Sequence, residues 1–167
     1  MGKVTGRVGG IIGGLDVDCY VSSGSVEGRI GGLSRGADVK FVISQHGLIT
    51  GRMGGGILGQ DVRLRFTEEE ISGRVGGDIV GADVALKVSG YEVGGRVGGD
   101  VIGFSCRLIY NPNGGELRGR LGGEFSGHDV NLVVSDCPLV VAALIAALTY
   151  NYYLSTRSSK RGSGLNP

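Results

Sequence analysis

Proline, cysteine and histidine are scarce in this chain, at 3, 3 and 2 residues of 167, and the charges nearly cancel. Few prolines beside 35 glycines, with no three-residue glycine period, exclude a collagen-like rod. Three cysteines (Cys19, Cys106, Cys137) cannot all pair within one chain. The N-terminus, MGKVTGRVGG, lacks the apolar stretch of a secretory signal, so a reducing, cytoplasmic setting is expected. Gly6 stands where a myristoylation signal requires Ser or Thr. His46 and His128 have no second histidine, cysteine or carboxylate at ligand spacing, so they read as surface loop and turn residues, and no metal is expected. Net charge is +1, with 17 basic and 16 acidic residues spread along the chain, which argues against a nucleic-acid partner. Disorder is excluded by a hydrophobic content of 41% rich in β-branched residues.

What the chain does have is repetition. GRVGG, GRIGG, GRMGG, GRVGG, GRVGG and GRLGG begin at Arg7, Arg29, Arg52, Arg74, Arg96 and Arg120 with the preceding glycine, at steps of 22, 23, 22, 22 and 24 residues. Glycine fills four offsets in all six copies: before the arginine and second, third and seventh after it. Nine residues after the arginine stand Asp16, Asp38, Asp61, Asp83, Ser105 and Asp129. Step length varies only between copies, as in QHGL and NPNGGE, where loops absorb it.

Within a copy the apolar residues alternate. Ile71, Gly73, Val75, Gly77 and Ile79 share one parity, and after Gly81 the alternation restarts as Val84, Leu86 and Val88. Period two means strand, so each copy predicts a hairpin over about residues 3 to 134 in total. The seventh-offset glycine suits a turn with positive φ, and the aspartate after it suits hydrogen bonding to nearby backbone.

The segment CPLVVAALIAALTYNYYLST, residues 137–156, contains no charge. Asp136 or Ser135 suits its cap, Pro138 its first turn, and its Leu and Ala content predicts a helix over about 137–154. Two homes are open to it: a bilayer, as a tail anchor, or the interior of the strands. Asn151, Tyr150, Tyr152 and Tyr153 shorten its apolar part, which favours the interior. Twelve tilted strands close at a backbone radius of ~12 Å and a height of ~25 Å, matching a helix of ~24 Å. The glycines around each arginine then give the helix room, or alternatively let the strands bend.

Twelve strands followed by PLVVAALIAALTYNYYL resemble the tubby C-terminal, phospholipid scramblase and LURP-one-related barrels over residues 3 to 154. The resemblance implies a closed antiparallel barrel threaded by its C-terminal helix, and a lipid-related role. The competing fold is a six-coil β-solenoid capped by that helix. It stacks like-charged arginines in a column and leaves open edges, so the barrel is preferred.

Chemistry is sparse. GRVGGDVIG has the glycines of a phosphate loop, but no helix follows it, and no cofactor is expected. Cys19 and Cys106 read as buried hydrophobes, whereas Cys137 at the helix start suits a more acidic thiol. No acid, base and nucleophile converge, so no enzyme and no catalytic residue is expected. The outward arginines Arg7, Arg29, Arg52, Arg74, Arg96 and Arg120 form a basic belt. It suits anionic lipid head groups or phosphate, unless neighbours such as Asp78, Asp100 or Glu124 pair with it. The expected function is a non-enzymatic, monomeric binding or scaffold barrel over residues 1–154 with a disordered basic tail over 155–167. The solenoid alternative implies a self-assembling or membrane-tethered structural protein.

Overall fold

A computed structural model describes residues 1–55, 59–98, 103–123 and 125–162. The period-two pattern folds into twelve strands: β1 Gly2–Val8, β2 Leu15–Val21, β3 Ser25–Gly31, β4 Gly36–Ile43, β5 Leu48–Met53 and β6 Gln60–Phe66 make the first half. The second half is β7 Glu70–Gly76, β8 Gly81–Ser89, β9 Glu92–Gly98, β10 Gly103–Asn111, β11 Glu116–Leu121 and β12 His128–Ser135. Each strand pairs antiparallel with the next, and β1 closes the sheet against β12 from Lys3 opposite Ser135 to Val8 opposite Val130. Closure removes every sheet edge. It also excludes the solenoid, whose coils would stack in parallel.

Inward residues form the core: Val62 and Leu64 on β6, Ile71 and Val75 on β7, and Val84 and Leu86 on β8 are all buried. Helix α1, Leu139–Gly162, runs through the middle of it. No residue from Val140 to Tyr150 is more than 3% exposed. A helix apolar on every side requires a surround that is apolar on every side, which the barrel lumen supplies. By length and composition Leu139–Arg157 is apolar enough to cross a membrane. Here the barrel encloses its apolar half. Asp136 takes a left-handed backbone (φ 46°) where the chain turns from β12 into the lumen, and the Pro138 carbonyl accepts from the amides of Val141 and Ala142. Thr149, the one buried polar residue among the described residues, donates to the Ile145 carbonyl one turn back at 2.7 Å. Beyond Leu154, where the sequence suggests disorder, the helix continues to Gly162.

The glycines act differently from the expectation. Positive φ falls at the second offset, as at Gly76 (91°) and Gly122 (94°), where the chain leaves the strand. At the seventh offset a β-carbon on Gly81 would instead meet the Gly77 carbonyl at 2.5 Å, so that position is needed for close approach. The glycine before each arginine does not make room for the helix. A β-carbon on Gly73 (φ 150°) would collide with the Arg63 carbonyl on β6, and one on Gly119 with the Arg107 carbonyl on β10. These glycines let each odd strand press against the backbone of its predecessor, so the close approach they allow is strand to strand. Gly77 and Ile79 leave the inward parity altogether: β7 ends at Gly76, and Ile79 is 97% exposed in the loop beyond.

Candidate functional site

Strict up-and-down order puts the loop inside each copy at one end of the barrel and the loops between copies at the other. Near the first end each odd strand presents its arginine outward. The register sets Arg7 opposite Asp16, Arg29 opposite Asp38, Arg52 opposite Asp61, Arg74 opposite Asp83 and Arg120 opposite Asp129. All five make ion pairs, at 2.6 to 2.8 Å. In the fifth copy the residue opposite Arg96 is Ser105. The ninth-offset aspartate is thus a cross-strand partner of the arginine rather than a turn residue serving the backbone.

The rest of each guanidinium faces its own loop. Arg74 donates through Nε to the Gly77 carbonyl at 3.1 Å and through Nη2 to the Asp78 carbonyl at 3.3 Å. Arg7 does the same to Gly10 and Ile11, and Arg120 reaches Gly123. Asp78 therefore supplies its backbone, not its carboxylate. Asp100 and Glu124 lie outside the described residues. The planar fork of arginine fits three acceptors at once, which lysine cannot do, and this explains the residue type at the repeat's centre.

A second basic feature breaks the repeat. On the outer wall of β5 to β8 lies an open groove of about 1120 Å³. Arg63 and Arg65 on β6 line it with Arg74 and with Asp61, Asp78 and Asp83, of which Asp61 is paired with Arg52 and Asp83 with Arg74; the register puts Thr50 and Arg74 beside Arg63 and Ser72 beside Arg65. Among the described residues neither Arg63 nor Arg65 has a hydrogen-bond or ion-pair partner, and both are exposed. Arg63 also lies directly opposite Arg74, an unfavourable like-charge pairing across strands. Sequence reasoning missed these two residues. The signal was available: at the same offsets the other copies carry Asp18 and Tyr20, Lys40 and Val42, Ala85 and Lys87, Arg107 and Ile109, and Asn131 and Val133, so only the third has two arginines.

Where α1 emerges, the run Tyr150-Asn151-Tyr152-Tyr153 fixes it to several hairpins. Tyr150 donates to the Ser126 carbonyl at 2.9 Å, and Tyr152 to the Gly36 carbonyl at 2.9 Å. Asn151 reaches Gln60 at 3.4 Å. Consecutive helical residues point about 100° apart, so the run spreads around the barrel mouth. Tyr153 and Tyr150 pack on His128, with ring centres 4.4 and 4.9 Å away. His128 is therefore the first residue of β12, held against the helix, and not a free turn residue. Burial lowers its pKa from the ordinary value near 6.5, helped by Arg157 and Arg120 and opposed by Asp129. Its neutral form is the one the fold accommodates. That contribution to stability is full above about pH 6.5 and is lost as the pH falls from there through the lower folded-state pKa. Denaturation midpoints measured from pH 7.5 to 5 should fall less steeply for His128→Phe, which keeps a packed ring and removes the titration.

The thiols are quiet. Burial pushes Cys19, Cys106 and Cys137 up to about 12, so Cys137 is raised, not made more acidic by the helix start. Among the described residues no three His, Cys, Asp or Glu side chains converge as metal ligands. Comparison with known proteins finds no family model, no curated protein and no solved structure that matches this chain.

Proposed function

We propose that the protein is a non-enzymatic binding barrel that takes a phosphate-bearing anionic ligand, such as a lipid head group, on its outer wall. The unpartnered pair Arg63 and Arg65 beside Arg74 carries this reading. Two fork-shaped donors two residues apart on one strand face, with the hydroxyls of Thr50 and Ser72 alongside, form a donor set suited to phosphate oxygens. The lumen is filled by α1, so a ligand is held outside. The belt arginines Arg7, Arg29, Arg52, Arg74 and Arg120 take a supporting part: each is engaged by its aspartate and loop, and Arg74 is the one of them that also lines the groove. A barrel around its own helix is also the plan that the resemblance to tubby-like and scramblase-like proteins implies. Unpaired thiols suit a cytoplasmic protein.

Flotation with phosphatidylserine vesicles at low salt tests this. The Arg63→Glu/Arg65→Glu variant should fold normally, since neither side chain has a partner to lose, and bind at least about tenfold more weakly, the effect of ~1.4 kcal/mol. Wild-type protein that fails to bind, or a variant that binds equally, would refute the proposal.

A further inference from the structure

The loops inside the copies carry apolar side chains at their tips. Ile11, Ile12, Leu33, Ile79, Val80 and Phe125 are each at least 81% exposed. Apart from Met1, every other exposed large hydrophobic among the described residues is at most 59% exposed. Single exposed hydrophobics scattered over a surface need no explanation, but here, the terminal Met1 apart, the most exposed of the described ones are confined to one end of the barrel. In the two remaining copies the sequence carries Ile57 and Leu58, and Val101 and Ile102, between the same glycines, and these lie outside the described residues.

We propose that this crown of loop tips is a membrane-docking face, with the tips entering the head-group layer of a phospholipid bilayer. Three observations choose a bilayer over a protein groove. The four hairpins whose tips are described set them at the same end of the closed barrel, around its axis, a shape that a flat partner meets at every point at once. The tips are separate side chains around a rim and not one continuous patch, which suits a fluid surface that closes around each. Among the tips α1 emerges with Arg157, an exposed cation on the helix turn just beyond the barrel mouth, at head-group level.

The arginine clamps give the loops a second property. Peptide carbonyls entering a head-group layer lose water and need partners. In these loops the carbonyls of Gly10 and Ile11 already accept from Arg7, those of Gly32 and Leu33 from Arg29, and those of Gly77 and Asp78 from Arg74. The Gly32 and Gly77 amides are satisfied by the carbonyls of Arg35 and Val80 within the same loops. What each tip offers outward is therefore mainly its apolar side chain. Asp78 is the acidic exception on the described rim, and Arg35 is its basic counterpart. The proposal stands apart from the arginine wall, since it requires neither Arg63 nor Arg65.

The chain has no tryptophan, so one introduced residue reports alone. Phe125→Trp places the probe on the crown, and Tyr91→Trp places it at the opposite end. With vesicles of phosphatidylcholine and phosphatidylserine, the Phe125→Trp emission should shift to the blue and resist an aqueous quencher, while Tyr91→Trp stays unchanged. High salt should leave the shift in place once insertion has occurred. The Ile12→Ser/Ile79→Ser/Phe125→Ser variant, altered only at exposed tips, should keep its melting temperature and bind at least about tenfold more weakly. Arg63→Glu/Arg65→Glu, with the Phe125→Trp probe added, should bind more weakly but reach the same shift at saturating vesicle concentration, which separates failure of the crown from failure of the wall. Absence of the shift, an equal shift at both probes, or undiminished binding of the serine variant overturns the proposal. A blue shift that grows with protein concentration in the absence of vesicles also overturns it, because it assigns the crown to a second copy of the chain.

Discussion

Gly73→Ala will destabilise the barrel by about 3 kcal/mol or more, while Gly77→Ala, four residues away, will be close to neutral. Both positions are glycine in all six copies, so repetition alone does not separate them. The backbone does. Gly73 sits at φ 150°, a conformation L side chains rarely adopt, and its added β-carbon would collide with the Arg63 carbonyl and come within 2.8 Å of the Leu64 Cα. Both obstacles are backbone of β6, which moves only if the strand pairing gives way. Gly77 has no such obstacle: the nearest atom, the Val80 carbonyl oxygen, is 3.7 Å away. Alanine there removes freedom from the unfolded chain, and an effect between zero and about 1 kcal/mol of added stability is expected. Urea denaturation of the two variants measures the contrast, and equal losses would show that the glycines serve something other than strand approach.

Leu144→Asp will abolish folding. Leu144 lies at the middle of the enclosed part of α1 and is fully buried, with buried strand residues around it and, among the described residues, no cation within the core. A carboxylate there either pays desolvation without a partner or takes a proton, and either cost is comparable to the whole stability of a domain this size. Leu144→Met preserves volume and should cost less than about 1.5 kcal/mol. Circular dichroism and sizing in the absence of detergent distinguish the outcomes. A folded, monomeric Leu144→Asp protein would mean that the helix leaves the barrel without harming it.

Strand identity and pairing were legible because period two is a local property of the chain, written six times over. The uncharged run after Cys137 was legible as a buried helix because its apolar residues leave no polar face. The loops were misjudged where parity was carried past the end of a strand: Ile79 continues the alternation in sequence, yet β7 stops at Gly76, where positive φ redirects the chain. The partner of each arginine was hidden for a related reason. Asp83 is nine residues from Arg74 in sequence but directly opposite it in register, and the register depends on the loop's shape. Arg63 and Arg65 were visible as departures from the repeat, but their freedom from partners is a property of the folded surface. The jobs of Asn151 and the neighbouring tyrosines needed the barrel mouth, since their partners Ser126, Gly36 and Gln60 belong to three different hairpins.

The central claim is that the barrel folds closed around its own helix and uses its outer surface for binding. Hydrogen exchange of the amides from Val141 to Tyr150 tests it most directly, with and without phosphatidylserine vesicles. A helix sealed in the lumen is released only when the barrel opens, so these amides should exchange with the same free energy as the β1 and β12 ladder that closes the sheet, whether or not vesicles are present. Exchange of the helix amides at markedly lower free energy than that ladder, or a change in their protection on adding vesicles while the ladder stays intact, would contradict the account, because it would place the helix outside the barrel for part of the time.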